Sequence, residues 1–339
     1  MKILTRALGN LLAYAALKLL LALTTLLPTA MALSLARLLG RIFCAMSRRR
    51  KIAMRNLDIA FRDKITLKSK QLIVLRSFEH FMGSVLWFVL RDRYARDVDT
   101  LFEISPVEDS LLRSSHPGGL VFLSAHVGDW EMAHHYLALR GIHVAVVTRR
   151  IANPFIDREV ARRRAHQGAR TIAKEGALMA LRQALRRGEA VGLLADQNCP
   201  ARKRFFDFFG TPASSHTDFA RVLARTTAPI LFITCMRKDR DSRFQVVVRD
   251  LGSNLPATPG LTSPRRARVR ADALVRDYLK VIEELTRSHP EQYLWLHRRW
   301  KSRPTGAPWL YHDLERPLNR ALLDWKPTDA IQGKSVDPP

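Results

Sequence analysis

At 339 residues and 47% hydrophobic composition, the chain is long enough for one large core or two smaller ones and too apolar to be a disordered polypeptide. Its 56 Lys and Arg against 31 Asp and Glu leave a net charge of +25. That surface attracts nucleic acid, anionic lipid headgroups or an acidic carrier protein, and equally suits a protein that is simply basic throughout. Three scattered cysteines (Cys44, Cys199, Cys235) lack metal-ligand spacing and read as free thiols of a reducing compartment, which excludes a disulfide framework.

The first fifty residues carry eight basic side chains and no acidic one. Two uncharged runs, 7–17 and 19–36, are separated by Lys18, and Pro28 interrupts the second. No small-residue cleavage site stands out, so a removable secretory signal is not expected. A membrane span needs about 20 mostly apolar residues. Residues 7–36 supply one if Lys18 snorkels, or they lie in the interface with the basic groups on phosphates. A helical hairpin buried in a soluble domain is the plainer alternative. Either membrane arrangement puts the SRRRK cluster at 47–51 on the cytoplasmic side.

Residues 56–61 (NLDIAF) and 71–90 read as helices, the second apolar at helical spacing. From Gly119 the rhythm changes to short apolar runs at 120–125, 143–148, 190–195, 229–236 and 244–251. Helical stretches at 131–140, 154–166, 174–187 and 217–227 alternate with them. Such alternation predicts an α/β fold with a mainly parallel central sheet flanked by helices. The last two runs are close enough for a hairpin through RKDRDSR. Expected boundaries are a hydrophobic, basic membrane anchor at 1–50, a main domain at 51–305, and a tail at 306–339 that ends in a loose polar segment.

The run LVFLSA leads directly into His126 and then VGDWEMAHH. The carboxyl end of a strand opening into a helix is where sites form in α/β sheets. The helix N-terminus there disfavours imidazolium, which suits a general base. Such a base needs an orienting group on its far nitrogen, and Asp129 and Glu131 are within reach. A spacing of five does not align on a regular helix, so His126 must sit in the preceding turn, where Gly128 supplies backbone freedom. On spacing alone the pattern also fits a capping histidine beside surface acids. His134 and His135 lack metal-ligand spacing, and no GxSxG nucleophile elbow occurs. The phenylalanines at 205, 206, 208 and 209 suit an acyl-pocket wall, a membrane-dipping loop or plain core; Trp295, His297, Arg298, Arg299 and Trp300 suit an interface or a core.

The strand–His-x-x-x-x-acid pattern resembles the signature of glycerolipid-type acyltransferases. The wider context resembles the lipid A biosynthesis (lauroyl/myristoyl) acyltransferase family. The matching blocks are SAHVGDWE (124–131), TRRIANPFIDREVARRRAHQG (148–168), LLADQ (193–197), RFFDFFGTPA (204–213), FARVLARTTAPI (219–230) and QYLWLHRRWKSRP (292–304), with NLDIAF fitting the family's N-terminal helix. They follow the family's order over about residues 50–305.

The resemblance implies an O-acyltransferase that needs no cofactor or metal. Its expected place is the cytoplasmic face of the bacterial inner membrane. An acyl chain would pass from acyl-carrier protein or acyl-CoA to a hydroxyl of an anionic glycolipid, a lipid A precursor, without an acyl-enzyme. It implies His126 as the base and Glu131 as its carboxylate partner. Arg164, Asp196 and Gln197 are implied substrate-binding groups, with Gly128 and Asp129 in support, and chemically either Arg149 or Arg164 suits an oxyanion or a substrate phosphate. A same-fold transferase acting on an aminolipid, mannoside or polyene-type lipid is the alternative. A nucleic-acid-binding protein is the non-enzymatic one, without a recognisable motif to carry it.

Overall fold

The computed structural model describes residues 2–91, 98–113, 119–166, 168–201, 203–238, 243–253, 255, 263–316 and 318. The apolar N-terminal runs form two helices, α1 (Lys2–Leu26) and α2 (Thr29–Met46), parted at Pro28, which is the N-cap of α2. Pro can begin a helix but cannot continue one through its interior. α3 (Arg49–Phe61) and α4 (Leu67–Leu90) follow, the latter N-capped by the Thr66 hydroxyl accepting from the Ser69 amide. α2 packs along α4 so closely at Gly40 that a Cβ there would lie 2.6 Å from the Glu79 Cα. Its outer side exposes Leu38, Ile42 and Met46, and α1 exposes Leu8, Leu11, Leu12, Leu19 and Leu23. Among the described residues, three helices, at Ala7–Leu26, Thr29–Met46 and Leu67–Leu90, are long and apolar enough to cross a membrane.

A short α5 (Val98–Leu101) enters β1 (Phe102–Glu103), and α6 (Pro106–Arg113) follows. Strand–helix alternation then begins: β2 (Leu120–Ser124), α7 (Trp130–Leu139), β3 (Val144–Thr148), α8 (Pro154–Ala165), β4 (Arg170–Ala173), α9 (Ala177–Arg186) and β5 (Ala190–Leu194). A hairpin of β6 (Arg204–Phe208) and β7 (Thr211–Ser215) precedes α10 (Asp218–Leu223), β8 (Ile230–Arg237), β9 (Phe244–Asp250) and the long α11 (Pro264–Ser288).

Seven strands make one sheet in the order β1-β9-β8-β2-β5-β3-β4, parallel throughout except for the antiparallel pair β8–β9. The expected α/β fold with a mainly parallel sheet is therefore present, and the two arms of the expected hairpin pair as β8 and β9; residues 239–242 of its turn lie outside the described residues. Side chains alternate across the sheet. Val121, Leu123, Val191 and Leu193 meet Leu181, Ala184, Leu185, Leu274 and Val275 on the α9–α11 side. Leu120, Phe122, Leu231 and Ile233 meet Leu33, Ala36, Leu86, Trp87, Met132 and Tyr136 on the side of α2, α4 and α7.

Some of the expected loops carry structure. The phenylalanine cluster is the β6–β7 hairpin, with Phe206, Phe208 and Phe209 buried in the core. Trp295, Arg299 and Trp300 are fully buried as well, so that block is core and not an interface. The chain from Arg303 to Arg316 is not loose: the Arg55 guanidinium donates to the carbonyls of Leu310, His312, Asp313 and Arg316, and Tyr311 donates its hydroxyl proton to Asn56. The end of the tail lies outside the described residues.

Candidate active site

β2 and β5 are parallel neighbours in a register that pairs Ser124 with Leu194. Two residues beyond each strand end stand His126 and Asp196, so the register brings them to one level. The His126 Nδ1 lies 2.8 Å from Asp196 Oδ1, and the His126 backbone amide donates to Asp196 Oδ2 at 3.1 Å. Both carboxylate oxygens thus serve one residue. Burial pushes the Asp196 carboxyl up, but the His126 charge and its two hydrogen bonds outweigh that and hold it below the usual carboxylate range. An ionised Asp196 fixes the proton on Nδ1 and leaves Nε2 with a lone pair. The Nε2 looks toward the Gln197 amide nitrogen, 3.4 Å away.

The turn that carries the ring is fixed from three directions. Leu294 donates to the His126 carbonyl at 2.9 Å, Gly128 donates to Gln292 O at 2.8 Å, and Asp129 donates to Cys235 O at 2.7 Å. Gly128 has φ +65°, and a Cβ on it would lie 2.5 Å from that same Cys235 oxygen, so the glycine is required both by backbone and by space. His80 of α4 reaches the Gly128 carbonyl with Nε2 at 3.1 Å. Asp129 is fully buried and pairs with Arg237 at 3.0 Å. A cavity of about 340 Å³ lies behind this turn, lined by residues that include Arg37, Arg76, His80, Gly83 and Arg237.

Glu131 does not steer His126 as the sequence reading expected. It is the second residue of α7, and its carboxylate faces Arg164, which donates to it from Nη2 and Nε, with Arg91 Nη1 3.8 Å away. Burial pushes the Glu131 carboxyl up; Arg164, then Arg91, pull it below the ordinary range. Beside the imidazole stands instead the edge of Trp130, with ring centroids 4.8 Å apart. The reason is geometric: the strand register fills the Nδ1 side with Asp196 before α7 begins, and α7 turns its first acid toward α8.

Of the residues singled out from sequence, His126, Asp196 and Gln197 form one array, Glu131 and Arg164 a second, and Asp129 with Gly128 belongs to the turn. Arg149 is exposed in the loop after β3, with no ion-pair partner among the described residues. Sequence reasoning missed Arg91, whose fully buried side chain joins Glu131 and also donates to Arg163 O at 2.9 Å. It missed Tyr278 too, whose hydroxyl donates to Ser124 O at 2.6 Å and accepts from the Ala195 amide at 3.1 Å, tying the ends of β2 and β5 together. His297 accepts from the Asn198 amide at 3.1 Å, and burial holds its imidazole down at about 4. An arginine closing an apolar helix was the available signal for Arg91; Tyr278 had none without the long-range packing.

The chain belongs to the bacterial lipid A biosynthesis acyltransferase family, whose model matches residues 2–302. It is an O-acyltransferase of the lipid A biosynthesis type. Among curated relatives it is similar to the lipid A biosynthesis lauroyltransferase of Escherichia coli (strain K12), 26% identical over 78% of this chain and 83% of the relative. It is also similar to the lipid A biosynthesis palmitoleoyltransferase of the same organism, 25% identical over the same shares. The lipid A biosynthesis acyltransferase 2 of Shigella flexneri is 25% identical over 55% of this chain and 57% of that relative.

Proposed function

We propose that the protein moves a fatty acyl chain from a carrier-protein thioester, or the coenzyme A thioester, to a hydroxyl of an anionic lipid A precursor, with His126 as general base held by Asp196. The observation that carries this reading is the imidazole fixed by a buried carboxylate at one nitrogen, with its other nitrogen 3.4 Å from the Gln197 amide nitrogen. His126 Nε2 takes the proton of the acceptor hydroxyl as its oxygen attacks the thioester carbonyl carbon. The Gln197 amide, beside that nitrogen, donates to the oxyanion of the tetrahedral intermediate. Collapse breaks the carbon–sulfur bond, the departing thiolate takes the proton back from the imidazolium, and an ester and a free thiol leave.

Arg164 is neutralised by Glu131, so its part is to orient substrate; Arg149, exposed in its loop, is the better candidate for an acceptor phosphate. Direct transfer without an acyl-enzyme fits the cysteines: Cys44, Cys199 and Cys235 are buried, and burial pushes the Cys199 thiol up. Membrane attachment rests on the exposed leucines of α1 and α2, and the acid-free basic N-terminus favours the cytoplasmic face of the inner membrane. The test is a detergent-solubilised assay with acyl-carrier protein thioesters and a lipid A precursor, read by product mass. His126→Ala, with its melting temperature checked, is expected to lose product formation by roughly 10⁴-fold or more. Wild-type-like turnover of that variant would reject the assignment.

A further inference from the structure

The arginines are not spread evenly over the molecule. α9 carries Arg182 and Arg186 and no acidic residue. The first seven residues of α11 carry Arg265, Arg266, Arg268 and Arg270 before any acid, and that first acid, Asp272, is buried against Arg204. Arg221, which pairs with Asp218, and Arg225 lie on α10 and the turn after it, and α10 packs between α9 and α11. Arg182, Arg186, Arg221, Arg225, Arg265, Arg266 and Arg268 are all exposed. Apolar side chains stand among them: Leu178 is 40% exposed, Met179 62% and Val269 52%.

This basic face is on the opposite side of the sheet from α7, the first half of α2 and the last turns of α4. The buried faces of α9 and α11 meet Val121, Leu123, Val191 and Leu193, whereas α2 and α4 meet Phe122, Leu231 and Ile233. The leucine-rich outer surfaces of α1 and α2 suit lipid, and the arginine face therefore points away from the side that would meet a bilayer. α11 also supplies Tyr278, ten residues beyond Arg268, which holds the ends of the strands leading to His126 and Asp196. A concentrated cation field with interleaved apolar contacts suits a soluble, strongly acidic partner.

We propose that the α9–α10–α11 face docks an acidic carrier protein that delivers the donor thioester to His126; this rests on the carrier-borne donor in the reading above. The arginines speed encounter and fix orientation, while Leu178, Met179 and Val269 supply apolar contact.

The test uses the full chain in detergent with a long-chain acyl-carrier protein thioester as variable donor. The quadruple variant Arg182→Glu, Arg186→Glu, Arg225→Glu and Arg268→Glu is compared with wild type and with Arg113→Glu on α6. All five side chains are exposed, and melting temperatures check the fold. The quadruple variant is expected to lose roughly tenfold or more in kcat/KM for the carrier thioester through KM, with kcat within about twofold. Wild-type kcat/KM should fall with added salt, and the variant's should not. Arg113→Glu should match wild type. An unchanged KM in the quadruple variant would overturn the surface while leaving the carrier as donor. Turnover of the coenzyme A thioester alone by wild type would instead remove the donor reading and the surface with it. Loss of binding to anionic vesicles by the quadruple variant, with KM for the carrier unchanged, would reassign the face to the membrane.

Discussion

Two carboxylates stand beside the His126 turn, the buried Asp196 and the part-buried Glu131, and they serve different partners. Asp196, 2% exposed, gives both oxygens to His126; Glu131 gives its oxygens to Arg164, with Arg91 behind. Both are held below the ordinary carboxylate range, one chiefly by an imidazole and the other chiefly by guanidinium groups set against burial. The family resemblance assigns Glu131 to the histidine, whereas strand register brings Asp196 to it. In a parallel sheet the ends of neighbouring strands are closer partners than residues a turn apart along one chain, and the site is built accordingly.

That contrast has consequences of graded size. If Glu131 acts through Arg164, Glu131→Gln and Arg164→Lys should each lower kcat/KM by roughly 10²-fold, and the double variant should lose little more than either single one. Losses that multiply in the double variant would separate the two residues and return Glu131 to an independent role. A smaller effect concerns His134, which lies beside Glu131 with its imidazole pushed down to about 4 by burial, and further by Arg91 and Arg164, from an ordinary 6.5. A histidine buried neutral adds stability that is complete above pH 6.5 and is lost as the pH falls toward about 4, because the unfolded chain takes up the proton first. Melting temperatures in detergent should fall over that window, and His134→Gln should make the fall shallower. A slope unchanged by the substitution would mean that other groups, such as His297, account for the acid sensitivity.

Much of the fold could be read from the sequence, because the apolar runs at 120–125, 190–195 and 229–236 sit between amphipathic stretches and turn residues. α11 is equally legible, since Ala267, Ala271, Leu274, Val275, Tyr278 and Ile282 recur at helical spacing and are all buried. The edge strands β1 and β4 carry too few residues for a period to show. The β6–β7 hairpin was hidden because its phenylalanines also suit a lipid-facing loop. His126 was found because a strand ran straight into it. Asp196 was named only as a substrate-binding group and not as its partner, since the pairing of Ser124 with Leu194 joins residues seventy positions apart and no local pattern encodes that register.

The direct test of that register is the rate of the chemical step in Asp196→Asn, measured in a single turnover with both substrates saturating. Asparagine keeps the shape but cannot hold the Nδ1 proton as the carboxylate does. The rate should fall by roughly 10³- to 10⁴-fold with the melting temperature nearly unchanged. A rate close to wild type would show that Asp196 does not position His126.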